Sequence, residues 1–236
     1  MEQKALSYFM RNKILSNKDF NKIFCIGFNK TGTTSLERVL RFYGYHLPNQ
    51  QEQEVRLSKQ VFSTNYSELV SFVNNFNAFQ DMPFSQGLTY VAVDALFPNS
   101  KFILTERDSE EWFNSYCEFT KKMFGLNVKS LSELTEQDVI DKLRYLYPNY
   151  FHEIKERLLI NFKESTSQVL WNKLFDKEYY IEMYENRNNE IKRYFSQTKN
   201  KLLIINITKE KNTKKICSFL NIPAEMAIEM PHENKS

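Results

Sequence analysis

Residues 23–36 read IFCIGFNKTGTTSL, and their pattern gives the strongest indication of the fold class. Its first part, 23–28, is a short apolar run, which is typical of a strand that is covered on both faces of a sheet. A helical pattern follows over 33–43, with Leu36 and Val39 among the apolar residues of one face. A buried strand that passes through a short polar loop into a helix predicts the first unit of a parallel α/β sheet.

Other apolar runs extend this pattern along the chain. Residues 101–106 and 202–207 predict two more buried strands, and 77–80 is a weaker strand candidate. Helical patterns begin at Ser109, which we predict as an N-cap before two glutamates, and cover 213–220. Strands that alternate with helices predict a doubly wound, mainly parallel α/β sheet of four to five strands with flanking helices.

The stretch 129–195 differs from the rest because it contains no convincing strand. It reads as several helices, one near Ser132, one over 150–162 and one over 176–195. We therefore predict a single α/β domain over 1–236 with a helical insertion at 129–195. Segments of this kind often determine which acceptor an enzyme selects.

Composition excludes several classes of protein. The chain has 236 residues, of which 42% are hydrophobic, so it can fill a core and is not disordered throughout. A net charge of +3 is too small for a nucleic-acid coat or a polybasic membrane anchor. Cys25, Cys117 and Cys217 are far apart and show neither a disulfide framework nor the spacing of metal ligands.

We do not expect the first 20 residues to form a targeting segment. Lys4, Arg11, Lys13 and Lys18 interrupt the apolar residues and break any signal-peptide core. No run in the sequence approaches the roughly 20 apolar residues that span a bilayer. Together with the cysteine usage, this predicts a cytoplasmic protein in a reducing compartment, with no membrane partner, no nucleic-acid partner and no metal.

The loop between the first strand and its helix has the composition of an anion cradle. Gly27 and Gly32 allow a tight turn, so that backbone N–H groups and the helix N-terminus point at one volume, and Lys30 adds a positive charge. The loop also carries four hydroxyl groups, on Thr31, Thr33, Thr34 and Ser35. This predicts phosphate or sulfate binding, and the alternative is an ordinary strand-to-helix turn.

The loop differs from a nucleotide triphosphatase motif in one position. The spacing from Gly27 to Gly32 fits Gly-x-x-x-x-Gly-Lys, but Thr33 stands where the lysine belongs, and Lys30 precedes the second glycine. If this chain were a nucleotide triphosphatase, it would therefore lack the lysine that contacts the terminal phosphates.

The order Lys-Thr-Gly-Thr-Thr at 30–34 resembles the 5′-phosphosulfate loop of the sulfotransferases, which use 3′-phosphoadenosine-5′-phosphosulfate (PAPS) as co-substrate and have a P-loop-like fold. The resemblance implies that Lys30 contacts the 5′-phosphate and the leaving oxygen. It further implies that backbone and hydroxyl groups of the next residues hold the phosphate, namely Thr31, Gly32, Thr33, Thr34 and Ser35.

A second motif of the same family follows the strand at 101–106. Arg107 stands just past that strand and Ser115 lies eight residues later in the next helix, which resembles the 3′-phosphate motif. An arginine can clamp phosphate with two hydrogen bonds, and the serine hydroxyl would complete the site. The alternative is that Arg107 pairs with Asp108 or a surface glutamate and that Ser115 faces solvent.

The resemblance covers 23–234 and points to the bacterial-type branch of the superfamily. Similar segments lie at 97–108, 184–195, 202–207, 218–223 and 231–234. The sequence also departs from its relatives. The Arg-Lys-Gly segment that closes over the nucleotide in the cytosolic mammalian enzymes is not visible, 208–211 replaces a turn with glycine and tryptophan, and Arg187 stands where relatives often show histidine.

An alcohol acceptor needs a base, which the family commonly places after the second strand. Asp81 occupies that position, and its carboxylate can take a hydroxyl proton if burial raises its pKa. Alternatively, Asp81 caps a helix that begins near Pro83. His46 is a weaker candidate base, Glu106 is expected to orient Arg107, and Trp112 and Phe113 either belong to the core or stack on adenine.

These observations favour a sulfotransferase that moves a sulfuryl group from PAPS to a hydroxyl or amine. The acceptor, a small molecule or a glycan, would be selected by the insertion at 129–195. Two alternatives from other classes are a P-loop small-molecule kinase and a non-catalytic nucleotide-binding protein.

Overall fold

A computed structural model describes residues 8–161 and 168–231. The chain divides into two compact units. We call residues 8–107 and 187–231 the sheet unit and residues 108–186 the second unit. The single domain with an insertion at 129–195 stays a prediction, and most of that stretch belongs to the second unit.

The strands confirm the predicted α/β class. In the described part of the chain they are β1 (Ile23–Cys25), β2 (Ala78–Phe79), β3 (Lys101–Thr105), β4 (Ile160–Asn161), β5 (Gln168–Val169) and β6 (Leu202–Ile205). Four of these described strands form a parallel sheet in the order β2-β1-β3-β6. Its strands are shorter than the apolar runs predicted, because apolar residues that follow the strand ends are also buried.

Helices cover most of the remaining described residues. They are α1 (Tyr8–Ser16), α2 (Thr33–Phe42), α3 (Gln50–Phe62), α4 (Tyr66–Asn74), α5 (Thr89–Leu96), α6 (Ser109–Phe124), α7 (Glu136–Lys142), α8 (Tyr150–Leu159), α9 (Lys177–Phe195) and α10 (Lys214–Phe219). The boundary between the two units falls inside α9, after Asn186. Within residues 8–161 and 168–231, no helix is long and apolar enough to cross a membrane.

Both faces of the parallel sheet are covered, which explains why its strands read as continuous apolar runs. On one face, Cys25 and Ile103 pack with the apolar stripe of α2, which includes Leu36. On the other face, Phe24 and Phe102 stack with ring centroids 5.6 Å apart and pack with residues of α3, α4 and α9. Neighbouring residues of one strand thus point to opposite faces, as the pleat requires.

The strand order brings three loops to one edge of the sheet. The chain goes from β1 to β2 on one side and then returns to β3 on the other side of β1. The carboxyl ends of β1 and β3 therefore flank the point at which the direction of winding reverses. Open α/β sheets bind their ligands in the crevice at such a point.

The predicted N-cap of α6 is wrong by one residue. Asp108, not Ser109, caps this helix, and its carboxylate accepts hydrogen bonds from the backbone N–H groups of Glu110 and Glu111 at 3.1 and 3.0 Å. Both residue types are good N-caps, but a charged carboxylate also interacts favourably with the helix dipole.

The prediction of no strand within 129–195 is also wrong. Ile160 pairs with Val169, and Asn161 with Gln168, in a short antiparallel ladder of β4 and β5. The predicted helix over 150–162 accordingly ends at Leu159, and Phe162 lies outside the described residues. Strands of two residues leave too short a pattern for recognition from sequence.

The core of the second unit contains a buried lysine among aromatic rings. The Lys155 ammonium group donates to the hydroxyls of Tyr116 and Tyr180 at 3.0 and 2.9 Å and lies 4.4 Å from the centre of the Phe175 ring. Trp112 stacks on Tyr116 with ring centroids 5.6 Å apart. Its 1% exposure supports the core interpretation of this tryptophan over adenine stacking.

Candidate functional site

The loop that follows β1 begins in close contact with the end of β3. Gly27 is buried, and a Cβ atom built on it would lie only 2.5 Å from the carbonyl oxygen of Thr105. Any side chain at this position would separate the loop from β3. The sequence places a glycine here because the two backbones must touch.

We expect Gly27→Ala to reduce the unfolding free energy by about 3 kcal/mol, because the rigid Thr105 backbone cannot make room for a methyl group. Denaturant unfolding will measure the change. Gly87→Ala is the control, since no atom lies within 4 Å of a Cβ built at Gly87. The strain expected in this variant comes from the left-handed φ of +48° and not from a clash. Equal losses in the two variants would contradict this explanation.

The hydroxyl of Thr31 fixes the shape of the loop. It donates to the carbonyl oxygen of Phe28 at 2.5 Å and lies 2.6 Å from the hydroxyl of Thr105. Both threonines are fully buried. The hydroxyl of Thr31 is thus used in hydrogen bonds within the protein. Its backbone N–H is the group that could donate to an anion.

The backbone adopts left-handed conformations at Lys30 and Gly32, with φ of 66° and 96°. Alternation of this kind turns successive N–H groups toward one concave side, which is the geometry of many phosphate sites. Gly32 also lies against Ile207, because a Cβ atom built on it would be 2.8 Å from the Cβ of Ile207. A glycine at 32 therefore satisfies both the conformation and the packing.

The N-terminus of α2 opens directly from this loop. Its N-cap, Gly32, offers no side-chain cap, and the first turn contains no acidic residue. The first N–H groups of a helix lack partners within the helix and attract anions. Of the hydroxyl residues in this turn, Thr34 is exposed, whereas Thr33 and Ser35 are buried.

Arg107 is placed at the same edge of the sheet. It follows the last residue of β3, Thr105, by two positions and is half-buried. Because Thr105 contacts Gly27 and Thr31, the loop after β3 starts beside the loop of Lys30. Glu106, which we expected to orient Arg107, forms an ion pair with Lys192 at 2.6 Å.

Asp81 lies at this edge as well, just after β2. One oxygen of its carboxylate, Oδ1, accepts the N–H of Met82 at 3.0 Å, and the other, Oδ2, accepts the side-chain amide of Gln50 at 3.2 Å. The predicted helix near Pro83 does not form, since the next helix begins at Thr89. Asp81 therefore does not cap a helix at Pro83, and its role as a base stays a prediction.

The surroundings of Asp81 adjust its acidity. Burial, followed by the nearby carboxylate of Glu54, raises the pKa of Asp81 to about 7, and Glu37 acts in the same direction. The N–H of Met82 and the charge of Lys30 oppose this rise. A group with a pKa near 7 can both accept and release a proton at neutral pH.

A family model of the sulfotransferase domain matches residues 22–236. This chain belongs to the sulfotransferase family. A search of curated proteins found no match. The matched range includes β1, its loop and every other strand of the described sheet, so the family assignment covers the site as well as the fold.

The sequence did not reveal the polar side chains of this sulfotransferase that support Asp81. Gln53 is 1% exposed and donates to the backbone carbonyls of Gln80 and Met82 at 2.7 and 2.6 Å. Gln50 also donates to Glu54 at 2.8 Å. The missed signal was at the N-terminus of α3, where Asn49 accepts the N–H of Glu52 in a recognisable cap.

Two further candidates of the sulfotransferase are Ser115 and His46. Ser115 is a half-buried residue of α6 in the second unit. His46 is exposed in a loop, where its backbone N–H donates to the side chain of Asn77. Within residues 8–161 and 168–231, no group of three or more histidine, cysteine or acidic side chains is arranged to hold a metal ion.

Proposed function

We propose that this sulfotransferase transfers the sulfuryl group of PAPS to a hydroxyl or amine of a small-molecule or glycan acceptor. One observation carries the proposal: Lys30, Asp81 and Arg107 follow the neighbouring strands β1, β2 and β3 at one edge of one sheet. Cationic groups for a donor and a carboxylate for an acceptor thus lie in the same crevice. The three free cysteines fit a reducing compartment, and we propose the cytoplasm as its location.

The donor would bind through its 5′-phosphosulfate to the loop after β1. The backbone N–H groups from Thr31 onward and the start of α2 supply hydrogen bonds, and Lys30 supplies a full charge. Thr31 stabilises this arrangement because its hydroxyl forms a hydrogen bond with the hydroxyl of Thr105. The geometry is preformed, so little has to move when the phosphate binds.

The acceptor oxygen attacks sulfur in line with the bridging oxygen of the donor. A new O–S bond forms, the bond from sulfur to the bridging oxygen breaks, and its electron pair remains on the 5′-phosphate of 3′,5′-adenosine bisphosphate. Lys30 would stabilise the charge that grows on this leaving oxygen, as cationic groups do in phosphoryl transfer. The product is a sulfate ester, or a sulfamate if the acceptor is an amine.

The proton of the acceptor would pass to Asp81. Its pKa of about 7 leaves it ionised above neutral pH, yet basic enough to accept a proton in the transition state. Gln50 and the N–H of Met82 hold the two carboxylate oxygens in place. The resemblance assigns the 3′-phosphate to Arg107 and Ser115, and the role of Ser115 stays a prediction.

Calorimetric titration with 3′,5′-adenosine bisphosphate, compared with ATP, tests this function. We expect the bisphosphate to bind and ATP to bind at least tenfold more weakly, because a second site recognises the 3′-phosphate. Label from ³⁵S-PAPS should then appear on members of a panel of sugars and alcohols. Preferential binding of ATP would favour a kinase, and binding without transfer to any acceptor would favour a non-catalytic protein.

We expect Arg107→Ala to weaken 3′,5′-adenosine bisphosphate binding about 50-fold, because a charged hydrogen-bonding partner is lost. Binding of adenosine 5′-phosphosulfate, which lacks the 3′-phosphate, should change less than twofold. Calorimetry with both ligands gives the comparison. If both affinities fell equally, Arg107 would not be the 3′-phosphate ligand.

A further inference from the structure

Arg187 of α9 is fixed against the residues that lead into the loop of Lys30. One guanidinium nitrogen, Nη1, donates to the carbonyl oxygen of Ile26 at 2.9 Å. The centre of the guanidinium lies 4.7 Å from the middle of the Phe28 ring, which is a favourable cation–π distance. These two contacts place a cationic group at the carboxyl end of β1, and all three residues belong to the sheet unit.

The rest of this guanidinium is buried without a counterpart. Its Nε and Nη2 atoms have no hydrogen-bond partner within residues 8–161 and 168–231. Burial lowers the pKa of Arg187 to about 10, and Tyr90 opposes this shift, so the side chain keeps its charge at neutral pH. Two buried donors on a permanent cation are costly for a protein unless they serve an anion.

The faces of the sheet indicate which anion these donors would meet. α2, whose N-terminus faces the proposed 5′-phosphate, packs on the face that includes Cys25 and Ile103. α3, whose Gln50 contacts Asp81, and α9 pack on the opposite face through Leu57 and Ile191. Arg187 therefore approaches the crevice from the side of the acceptor base, whereas the phosphate is held from the other side.

We propose that Arg187 binds the non-bridging oxygens of the sulfuryl group during transfer. The inference rests on the proposed function, because it assigns one more residue to the same crevice. A guanidinium that presents two parallel N–H donors matches two sulfuryl oxygens. Arg187 keeps its proton and forms no covalent bond; it orients the group between the leaving oxygen and the acceptor.

Variants at this position separate a sulfuryl contact from other roles. Arg187→Met replaces the guanidinium by an uncharged, apolar side chain, and Arg187→Lys keeps the charge. Arg193→Met on the same helix is the control. Arg193 is 74% exposed and pairs with Glu190. For Arg187→Met we expect PAPS affinity to fall about tenfold, 3′,5′-adenosine bisphosphate affinity to change less than twofold, and kcat to fall about 30-fold. Arg187→Lys should recover part of both losses.

Each other result overturns the inference. Equal loss of affinity for PAPS and for the bisphosphate would assign Arg187 to the nucleotide, and unchanged affinities and kcat would leave it a structural role. If Arg187→Met does not fold, Arg187→Lys and the Arg187 Nε–H resonance of the wild type decide, since this resonance should shift with PAPS and not with the bisphosphate. A wild-type protein that binds neither ligand would refute the proposed function itself.

Discussion

Replacing Lys30 by alanine is expected to lower kcat about 1000-fold while the protein remains folded. The loss follows from the role proposed for this ammonium group, which would stabilise charge on the leaving phosphate oxygen. The side chain is half-buried in a loop and does not belong to either of the clusters that form the core of the sheet unit. Transfer of ³⁵S from labelled PAPS measures the effect, and thermal unfolding checks the fold.

Lys30→Gly is the matched control for this experiment. The φ of Lys30 is 66°, a left-handed conformation that glycine adopts without strain. We expect this variant to be as inactive as Lys30→Ala and at least as stable as the alanine variant. Turnover within threefold of the wild type in either variant would remove Lys30 from the mechanism.

Asp81→Asn is expected to reduce kcat/KM for an alcohol acceptor about 1000-fold at pH 8, because the amide cannot accept a proton. In the wild type, kcat/KM should rise tenfold per pH unit below 7 and level off above it, since the pKa of Asp81 is about 7 and only the carboxylate is the base. The variant should lose this rise. A pH profile that is the same in both proteins would show that another group accepts the proton.

Asp81→Asn should increase the unfolding free energy although it lowers activity. The pKa of Asp81 is raised from 3.8 to about 7 in the folded protein, so the folded state binds a proton more tightly than the unfolded state does. The wild type therefore loses unfolding free energy as the pH rises from 4 to 7. Asparagine resembles the protonated form, and we expect Asp81→Asn to gain about 4 kcal/mol relative to the wild type between pH 4 and pH 8. Denaturant unfolding at both pH values measures this difference.

Local patterns were enough to predict the sheet and the loop after β1. The loop and the strand before it are indicated within ten residues by a short apolar run, two glycines and a lysine. Neighbouring residues are therefore enough to predict both the backbone and the chemistry of this segment. The strand lengths were overestimated, because Ile26 and Ile207 are buried although β1 ends at Cys25 and β6 at Ile205. Burial and strand pairing are different properties, and hydrophobicity reports only the first.

The polar surroundings of Asp81 depend on contacts between segments that are distant in the chain. Gln50 reaches Asp81 across 31 positions, and Arg187 reaches Ile26 across 161. Such contacts leave no periodic signal, since a buried glutamine on α3 looks like any polar residue of a solvated helix. The raised pKa of Asp81 follows mainly from its burial and from the nearby carboxylate of Glu54. Sequence alone could therefore name the residue but not its acidity.

The hydroxyl groups of Thr31 and Thr105 form a buried hydrogen bond. It couples the turn after β1 to the last residue of β3, so neither can shift alone. The spacing between the groups that would hold the two ends of the nucleotide is thus set during folding, before any ligand arrives. Under the proposed function, such a frame would need little ordering on binding and would favour molecules whose two anionic ends match its length.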